Sequence, residues 1–472
     1  MHDRVRVYQK VSCTHFTGRI FMMYSNRMQK VFFLICCTLC STYVIAQQGS
    51  IPIPSKAQLA WHEMEYYWFM HFGPNTFTGK EWGHGDEKEE VFDPEQLDCR
   101  QWCRIAKAAG AKGIIITAKH HDGFCLWPSK YSNHTVRESK WKNGKGDVLR
   151  ELSQACKVYG LKFGVYISPW DRNHPKYGTE AYNDVFVHMM EEIFSNYGPI
   201  WELWWDGANG EGPNGKKQQY DWPRFEALIK KISPQTVIFS DIGPGCRWVG
   251  NENGIAGTTN WNYLNTAGFT RGAGSPPTDT LNRGNVHGKK WIPAECDVSI
   301  RPGWFYHQEE DSRVKSPAEL FDLYLKSVGR GANLLLNVPP DGRGLVSNAD
   351  SAAAIGFKHL RTENFRKPIF EIQPISSQNP IPRASWKVAR SINCVVLKED
   401  LRNGQFVDSF SVLIKKKNIV VKAIGGTTIG RKRILTFPDV EADAVEVRIS
   451  GERRPKLTGL SVYRIDPMLI EK

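Results

Sequence analysis

The 472-residue sequence has few long apolar runs and no regular cysteine pattern. Its mean hydropathy is −0.42, and its one continuous apolar run lies near the N-terminus, which excludes a polytopic membrane protein. The cysteines after that run are odd in number and irregularly spaced, so they predict neither a disulfide framework nor a zinc site. We therefore expect no metal and no cofactor.

The charged residues lack the distribution typical of nucleic-acid-binding proteins. The formal charge is +13, but the basic residues are dispersed apart from short clusters at 415–417 and 431–433. They do not alternate with aromatic residues, so we expect no nucleic-acid partner. No glycine-rich phosphate turn follows the first predicted strand, which disfavours a dinucleotide-binding domain. The surplus of 16 Trp instead suggests stacking surfaces.

The N-terminal apolar run has the features of a secretory signal. Lys30 precedes it, and it ends at Ala46 before a polar sequence. It is too short for a spanning helix, so it predicts cleavage after Ala46 and a leader over residues 1–46, with Met28 as an alternative start. Cys40 resembles a lipoprotein attachment site only weakly. We expect a secreted or periplasmic protein without a membrane span.

From about residue 60, short apolar segments alternate with amphipathic segments of helical periodicity. This alternation predicts parallel strands joined by helices, and seven or eight such units over roughly 300 residues favour closure into a barrel. We predict an α/β fold, a (β/α)8-like TIM barrel, over residues 47–366. Its predicted strands span residues 67–72, 113–118, 162–167, 200–205, 236–241, 291–295 and 333–338.

The pattern changes after residue 366. Proline-containing dipeptides over residues 367–383 predict a linker. Short segments with alternating apolar residues over 384–472 then predict a small C-terminal antiparallel β-sandwich. This part contains a single Trp, Trp386, and dispersed cations, which favour a role in bracing the barrel over carbohydrate binding.

Reactive side chains fall at the ends of the predicted barrel strands, where the site of such a barrel forms. Asp206 follows an apolar aromatic run and precedes a glycine, a surrounding that favours a catalytic role. His120 and His121 are adjacent, so on a strand they would point to opposite faces and would not share a tetrahedral metal site. Two imidazoles that hydrogen-bond a polyhydroxylated ligand fit better.

Four motifs stand in order within residues 55–365. They read Met-His-Phe-Gly from Met70, Glu-Trp from Glu81, Lys-His-His-Asp-Gly-Phe from Lys119 and Trp-Trp-Asp-Gly from Trp204. Together they resemble glycoside hydrolase family 29, the retaining α-L-fucosidases. Two later segments, 247–252 and 303–307, resemble the subgroup that prefers α-1,3/1,4-linked fucose. The resemblance implies a secreted enzyme that acts on a fucosylated oligosaccharide or glycoconjugate.

The resemblance also implies the catalytic pair that a retaining glycosidase needs. It assigns the nucleophile to Asp206, which would form a covalent fucosyl-enzyme intermediate. Two glutamates are candidates for the acid/base: Glu252, on the loop after the fifth predicted strand, and Glu295, at the end of a predicted strand. Its sequence distance from the nucleophile favours Glu252, and Glu295 is the second candidate.

By the same resemblance, other side chains shape a fucose pocket. The histidines would hydrogen-bond sugar hydroxyls, Tyr166 would reach the nucleophile, and Arg247 would orient a loop or a carboxylate. Trp304 is expected to bury the apolar C6 methyl face or a neighbouring ring. The predicted substrate-binding residues are His71, Glu81, Trp82, His120, His121, Tyr166, Arg247, Glu295 and Trp304.

Three other functions fit parts of the pattern. A retaining glycosidase for a related sugar, such as an α-L-galactoside, would need a polar partner for the C6 hydroxyl near Trp82 and Trp304. An inactive lectin-like fucose-binding protein would keep the aromatic pocket and lose a carboxylate, whereas Asp206 and both glutamates are present. A metal-dependent hydrolase would be inhibited by chelators.

Overall fold

Eight parallel strands close into a barrel in the computed structural model, which describes residues 51–372, 382–451 and 455–470. The strands of this part are β1 (Tyr66–Met70), β2 (Gly113–Lys119), β3 (Lys162–Ile167), β4 (Glu202–Trp204), β5 (Val237–Ser240), β6 (Cys246–Trp248), β7 (Tyr263–Leu264), β8 (Lys290–Trp291), β9 (Ala294–Ser299) and β10 (Asn333–Asn337). Around the barrel the strands follow the order β1-β10-β9-β6-β5-β4-β3-β2, and β7 and β8 form a separate antiparallel pair.

Helices connect these strands and cover the barrel. The Asp147 side chain caps the helix that follows it by accepting from the backbone N–H of Arg150, and Gly160 ends that helix at φ +67°, a conformation that favours glycine. The α-helices of the described residues are α1 (Lys56–His62), α2 (Pro74–Thr78), α3 (Cys99–Ala108), α4 (Val148–Tyr159), α5 (Ala181–Tyr197), α6 (Trp222–Ile232), α7 (Thr278–Arg283), α8 (Pro317–Lys326) and α9 (Asn348–Phe365).

Alternate residues of each strand supply two separate layers of core. On β1, Tyr67 and Phe69 belong to the cluster inside the barrel, whereas Tyr66 and Trp68 pack with the surrounding helices. All five residues of this strand are buried, because both faces of a parallel barrel sheet are covered. No helix in the described ranges combines the length and apolar character needed to cross a membrane.

The strand predicted at 291–295 requires a correction. Lys290 and Trp291 instead form β8, which pairs antiparallel with β7, and the barrel strand begins only at Ala294. Pro293 separates the two because it carries no N–H for a ladder. Glu295 is therefore the second residue of its strand and not the last.

The C-terminal part is antiparallel, as predicted, and its hydrogen bonds join six strands into one sheet of order β11-β16-β12-β15-β13-β14. The predicted TIM-like barrel is thus confirmed, and the part predicted as a small antiparallel β-sandwich is confirmed as antiparallel, with its six strands in one hydrogen-bonded sheet. The first of these strands lies within the predicted linker, whose residues 373–381 fall outside the described ranges, as does the predicted leader. The strands are β11 (Phe370–Ile372), β12 (Arg383–Glu399), β13 (Ser409–Lys416), β14 (Ile419–Gly426), β15 (Arg433–Ser450) and β16 (Leu457–Tyr463).

A cluster of ion pairs joins this sheet to the N-terminal end of the barrel. Glu65, just before β1, lies 2.6 Å from the Lys432 ammonium and 2.8 Å from the Arg431 guanidinium. Burial alone would raise the pKa of Glu65, but the charges of Lys432 and Arg431 lower it to about 2. The Tyr324 hydroxyl also donates to the Glu65 carboxylate at 3.2 Å. The C-terminal sheet therefore contacts the barrel through a largely buried charge network.

Replacing Glu65 with Gln is expected to lower the free energy of unfolding by about 3 kcal/mol at pH 7, because Arg431 and Lys432 lose their buried countercharge. The unfolded carboxyl binds a proton near pH 4.5 and the native one only near pH 2. The contribution is therefore complete above pH 4.5 and disappears as the pH falls towards 2. Urea denaturation of the wild type and variant should show a difference that shrinks below pH 4.5.

The matched control is Glu363→Gln, which removes an exposed carboxylate 3.7 Å from the Arg366 guanidinium. This variant should change the unfolding free energy by less than about 0.5 kcal/mol, as exposed ion pairs do. Equal effects of Glu65→Gln and Glu363→Gln would show that the junction does not depend on its buried charges.

Candidate active site

Asp206 lies two residues beyond the end of β4, at the carboxyl end of the barrel. The Tyr166 hydroxyl donates to Asp206 Oδ2 at 3.0 Å, and the backbone N–H of Ala208 donates to Oδ1 at 2.7 Å. His121 Nε2 lies 3.8 Å from Oδ2. The Asp206 side chain is 24% exposed, so it is fixed in orientation and still accessible from the mouth of the barrel.

The chain immediately after Asp206 passes close to a second carboxyl. A Cβ on Gly207 would lie 2.2 Å from Asp241 Oδ2, so the Asp241 side chain would have to move if residue 207 carried a side chain. Burial and the charge of Asp206 raise the pKa of Asp241 to about 6. Sequence reasoning placed Asp241 at the end of a predicted strand without a role, and only the folded chain brings it beside Asp206.

Three histidines line the pocket next to Asp206. The rings of His120 and His121 are 4.2 Å apart, and the ring of His71 is 5.6 Å from that of His120. The expectation that the adjacent histidines face opposite sides is wrong, because β2 ends at Lys119 and both residues follow in the loop. All three histidines are buried, and their neighbouring rings form one continuous imidazole surface.

Burial keeps these imidazoles neutral. It lowers the pKa of His71 to about 3 and that of His121 to about 4, and it places the pKa of His120 well below 6.5. A neutral imidazole has one donor and one acceptor nitrogen, which suits a hydroxyl group better than a fixed cation does. The buried Nδ1 of His120 has no hydrogen-bond partner within the described residues.

Neighbouring side chains fix the orientation of two of the rings. Asn337 Oδ1 lies 2.9 Å from His71 Nδ1, and the Ser168 hydroxyl lies 2.8 Å from His121 Nδ1. Asn337 also donates to the backbone carbonyl of Trp304 at 2.7 Å. Sequence reasoning missed Asn337, although its position at the end of the last barrel strand was a usable signal.

A second wall contains Glu81, Trp304 and Glu252. The Glu81 carboxylate accepts from the Trp304 backbone N–H at 2.7 Å and contacts His307 Nε2 at 2.7 Å. The Trp304 ring lies 5.0 Å from the His71 ring, and its Nε1–H donates to Glu252 Oε2 at 3.2 Å. Glu81 therefore holds a loop whose tryptophan connects the histidine surface to the exposed Glu252.

Trp82 lies at the outer edge of the pocket and is 55% exposed. Its ring lies 5.4 Å from the His121 ring and 5.7 Å from the Trp170 ring, nearly perpendicular to both. The structure thus places Trp82 beside the predicted pocket residues, with much of its surface open to a ligand that extends beyond the histidines. Trp170 was not singled out from the sequence.

Arg247 does not line this pocket, and its predicted substrate-binding role needs correction. The side chain is fully buried in the described structure, and its guanidinium donates to the carbonyls of Leu281 and Trp261 and to the Asn260 side chain. These partners are two main-chain carbonyls and one side-chain amide, and none of them is a carboxylate. Of the two expected roles, orienting a loop fits the geometry.

Glu295 lies inside the barrel and does not reach the pocket, contrary to its prediction as a strand-end residue. It is fully buried and accepts from Trp204 Nε1 at 2.9 Å and from the Tyr67 hydroxyl. Burial raises the pKa of Glu295, and burial together with the charge of Glu295 raises that of Glu202. Because both pKa values are raised, the pair formed by Glu202 and Glu295 retains a proton more readily than two exposed glutamates would.

These two glutamates and Cys246 are the one group of potential metal ligands found among the described residues. Trp61 Nε1 donates to Glu202 at 2.8 Å, and the Cys246 thiol lies 3.6 Å from the same carboxyl. Since indole, phenol and thiol donors already occupy the carboxyl oxygens, the group fits a buried hydrogen-bond network better than a metal site.

Asp297 is a further carboxyl that sequence reasoning did not select. It lies two residues beyond Glu295 on the same strand, so both side chains share the inner face, with Asp297 nearer the mouth of the barrel. Trp248 Nε1 donates to it at 2.9 Å. Burial, followed by the charges of Glu252 and Glu295, raises the pKa of Asp297 well above its usual range.

The chain is similar in sequence and in fold to known proteins. Residues 49–356 match the family model described as Alpha-L-fucosidase. Alpha-L-fucosidase 1 of Arabidopsis thaliana is 38% identical over 449 residues, which cover 88% of this chain and 88% of that protein. A glycoside hydrolase 29 family member from an unknown rumen bacterium is 40% identical with a TM-score of 0.81, over 89% of this chain and 78% of that chain. A Ruminococcus gnavus GH29 fucosidase, solved in complex with fucose, is 27% identical with a TM-score of 0.75, over 90% and 97%.

The burial of the histidines gives a testable pH dependence. In the native protein, we expect the ring ¹⁵N shifts of His71, His120 and His121 to stay those of neutral imidazoles from pH 7 to pH 5. In urea the same rings should titrate near pH 6.5, the ordinary value. Because the unfolded chain gains these protons near pH 6.5 and the native protein gains them only near pH 4 at His121 and near pH 3 at His71, these histidines should reduce the stability as the pH falls from about 6.5 towards 3. Native-state titration of any of the three near pH 6.5 would contradict this electrostatic description.

Proposed function

We propose, from the premise that this chain belongs to the α-L-fucosidase family, glycoside hydrolase family 29, that it removes terminal α-L-fucose with retention of configuration. The observation that carries the proposal is the accessible Asp206 carboxylate, which the Tyr166 hydroxyl and the Ala208 N–H hold beside three neutral histidines. A carboxylate fixed at the edge of a sugar-sized polar surface is suited to attack at an anomeric carbon.

In the first step, Asp206 forms a bond to C1 of fucose. The bond from C1 to the glycosidic oxygen breaks, and its electron pair goes to that oxygen, which takes a proton from the Glu252 carboxyl. In the second step, water attacks C1 while Glu252 accepts its proton, and the bond between C1 and Asp206 breaks. Two inversions at C1 give net retention. The proton that Glu252 donates in the first step is replaced by the proton that it accepts from water in the second.

Glu252 is the acid/base of this proposal because of its accessibility. It is exposed on a turn, and its carboxyl contacts the Trp304 indole that packs on His71. Glu295 is fully buried and already accepts hydrogen bonds from Trp204 and Tyr67. In this proposal it therefore lies beneath the pocket and does not donate the proton. A proton donor to a leaving group must reach that group directly or through one water.

The pocket surface supports a deoxysugar. The Trp304 ring is 6.4 Å from the Phe69 ring, and the His71 ring is 5.4 Å from the Phe305 ring. These aromatic faces favour the C6 methyl of fucose over the C6 hydroxyl of an α-L-galactoside, since burial of a hydroxyl without a partner is unfavourable. Neutral imidazoles on the adjoining surface supply donors and acceptors for the ring hydroxyls.

We extend the proposal to α-1,3/1,4-linked fucose on branched glycans. The segments 247–252 and 303–307 support it, because they contain Glu252 and Trp304, and the exposed ring of Trp82 offers a surface for a neighbouring sugar. We further propose export through the predicted leader, so that the enzyme meets its glycans outside the cytoplasm. Detection of the mature chain only in cytoplasmic fractions would contradict that part.

Asp206→Ala should reduce turnover by about 10⁴-fold or more, because the covalent step loses its nucleophile. The assay measures release of 4-nitrophenol from an aryl α-L-fucoside and release of fucose from a Lewis-type trisaccharide, both of which the wild type should hydrolyse. Retained activity of the variant would refute the role of Asp206. Wild-type hydrolysis of the aryl substrate alone would refute the linkage assignment.

Glu252→Ala should lose about 10²–10⁴-fold on substrates with poor leaving groups and much less on an activated aryl fucoside, because only the former need a proton. Added azide should restore turnover of the activated substrate and give an α-L-fucosyl azide, since azide attacks the intermediate without a general base. Glu295→Gln is the comparison variant. It should show neither leaving-group selectivity nor azide rescue, and the reverse pattern would exchange the two assignments.

A further inference from the structure

The residue after Glu252 is an asparagine that precedes a glycine, Asn253-Gly254. An asparagine in this setting can lose its amide, because a following residue without a Cβ lets its backbone nitrogen approach the side-chain carbonyl carbon. The reaction needs a side chain that is free to rotate and a backbone nitrogen that is not engaged in a hydrogen bond. Both groups can be checked in the structure.

Asn253 meets both requirements. Its side chain is exposed, and within the described residues neither its amide nor the Gly254 N–H has a hydrogen-bond partner. The turn is closed instead by Asn251, whose Oδ1 accepts from the backbone N–H groups of Asn253 and Ile255 at 3.1 Å and 3.4 Å. These bonds leave the Asn253 amide and the nitrogen that follows it available to each other.

Gly254 is required by the shape of the turn. Its φ is +72°, a conformation that favours glycine, and a Cβ there would lie 2.8 Å from Cγ1 of Val298 on β9. The turn therefore favours the one residue type whose nitrogen is not shielded by a side chain. The fold thus keeps a reactive Asn-Gly pair directly after Glu252.

Other asparagines that precede a glycine are held by hydrogen bonds. Asn214 is the clearest case, since its Nδ2 donates to the Tyr177 carbonyl at 2.6 Å and its Oδ1 accepts from the Lys216 N–H at 3.0 Å. Both ends of this amide are engaged, so the group is not free to rotate. Asn214 therefore serves as an internal comparison for Asn253.

We propose that Asn253 is a site of spontaneous deamidation, which alters the turn that carries the acid/base. In this reaction the Gly254 nitrogen bonds to Cγ of Asn253 and closes a five-membered succinimide. Its proton goes to the departing side-chain nitrogen, which leaves as ammonia. Water then adds across one of the two C–N bonds of the ring and gives aspartate or isoaspartate at position 253. The effect on activity, but not the modification itself, rests on the proposed role of Glu252.

The two products affect the turn differently. Isoaspartate adds one methylene group to the main chain and so changes the separation of the two N–H groups that Asn251 binds. A displacement of about 1 Å in a catalytic group can reduce the rate about 10²-fold. Aspartate keeps the main chain and adds one exposed charge, whose effect should be about 5-fold or less.

The attachments of this loop to the barrel flank the pair and should survive the change. The Val249 N–H donates to the Glu295 carbonyl at 3.0 Å, and the Ala256 N–H donates to the Lys326 carbonyl at 3.0 Å. Deamidation should therefore alter the turn between these two points and leave Tm unchanged. Asp206 is held from other strands and should stay in place.

The experiment incubates the wild type and Asn253→Gln at mildly alkaline pH and follows both by peptide mapping. A glutamine keeps the amide but would have to close a six-membered ring, so this variant should stay intact. In the wild type, the peptide with residue 253 should gain the mass difference between an amide and a carboxyl group. It should also accept label from an isoaspartyl methyltransferase, whereas the Asn214 peptide should not.

The products are separated by ion exchange, and kcat/KM is measured for an activated aryl α-L-fucoside and for one with a poor leaving group. The isoaspartate form should lose about 10-fold or more on the poor leaving group and less than about 3-fold on the activated one. Incubated Asn253→Gln should keep the initial ratio. Freshly prepared Asn253→Asp should lose less than about 5-fold on either substrate.

The site assignment is overturned if the Asn253 amide stays intact in the folded protein while a synthetic peptide of the same turn deamidates. An unchanged substrate ratio in the isoaspartate form would overturn its effect on the turn. Glu252→Ala is measured in parallel. Absence of leaving-group selectivity there refutes the acid/base assignment and leaves the modification standing, so the two failures are distinguishable.

Discussion

Closure of eight parallel strands into one barrel is the constraint on which the site depends. Because β1 to β4 are direct neighbours, the residues that follow their carboxyl ends meet at one edge. The pairing of Tyr166 with Trp204 in register puts the Tyr166 hydroxyl beside Asp206, two residues beyond β4. Histidines from the first two strands complete the same surface. Each side chain is local to its own strand, and only closure brings the strands together.

Burial then determines the chemistry that the barrel supports. At the mouth it keeps the histidines neutral, which lets them pair with hydroxyl groups. Deeper in the barrel it favours a shared proton between Glu202 and Glu295, where indole and phenol donors satisfy the carboxyl oxygens. Glu252 remains exposed, and its carboxyl accepts a hydrogen bond from Trp304 Nε1 of a neighbouring loop. The pocket thus combines a rigid side that carries Asp206 with a loop-borne side that carries Glu252.

Sequence periodicity predicts most of this fold, because strands that are covered on both faces read as apolar runs. It misses β6, whose three residues have Arg247 at their centre and do not read as an apolar run. It also predicts the start of β9 too early, because Pro293 separates two apolar segments that belong to different sheets. The position of Asp206 is predictable from the sequence, because a carboxylate that directly follows a barrel strand lies at the carboxyl end of the barrel. The position of Glu295 is not predictable from the sequence, because a small error in the strand boundary decides whether this residue is assigned to the rim or to the inside of the barrel. Asn337 can be placed at a strand end from the sequence, but its contact with His71, far away along the chain, appears only in the folded protein.

In the proposed mechanism, Asp206 forms a covalent bond to C1 of the sugar. A 2-deoxy-2-fluoro fucosyl fluoride tests it most directly, because fluoride departs without an acid while the 2-fluoro group slows hydrolysis of the intermediate. The protein should gain the mass of one fluorofucosyl group, and peptide mapping should place that group on Asp206. An adduct on a different carboxylate, or turnover of the reagent with inversion and no adduct, would contradict the account.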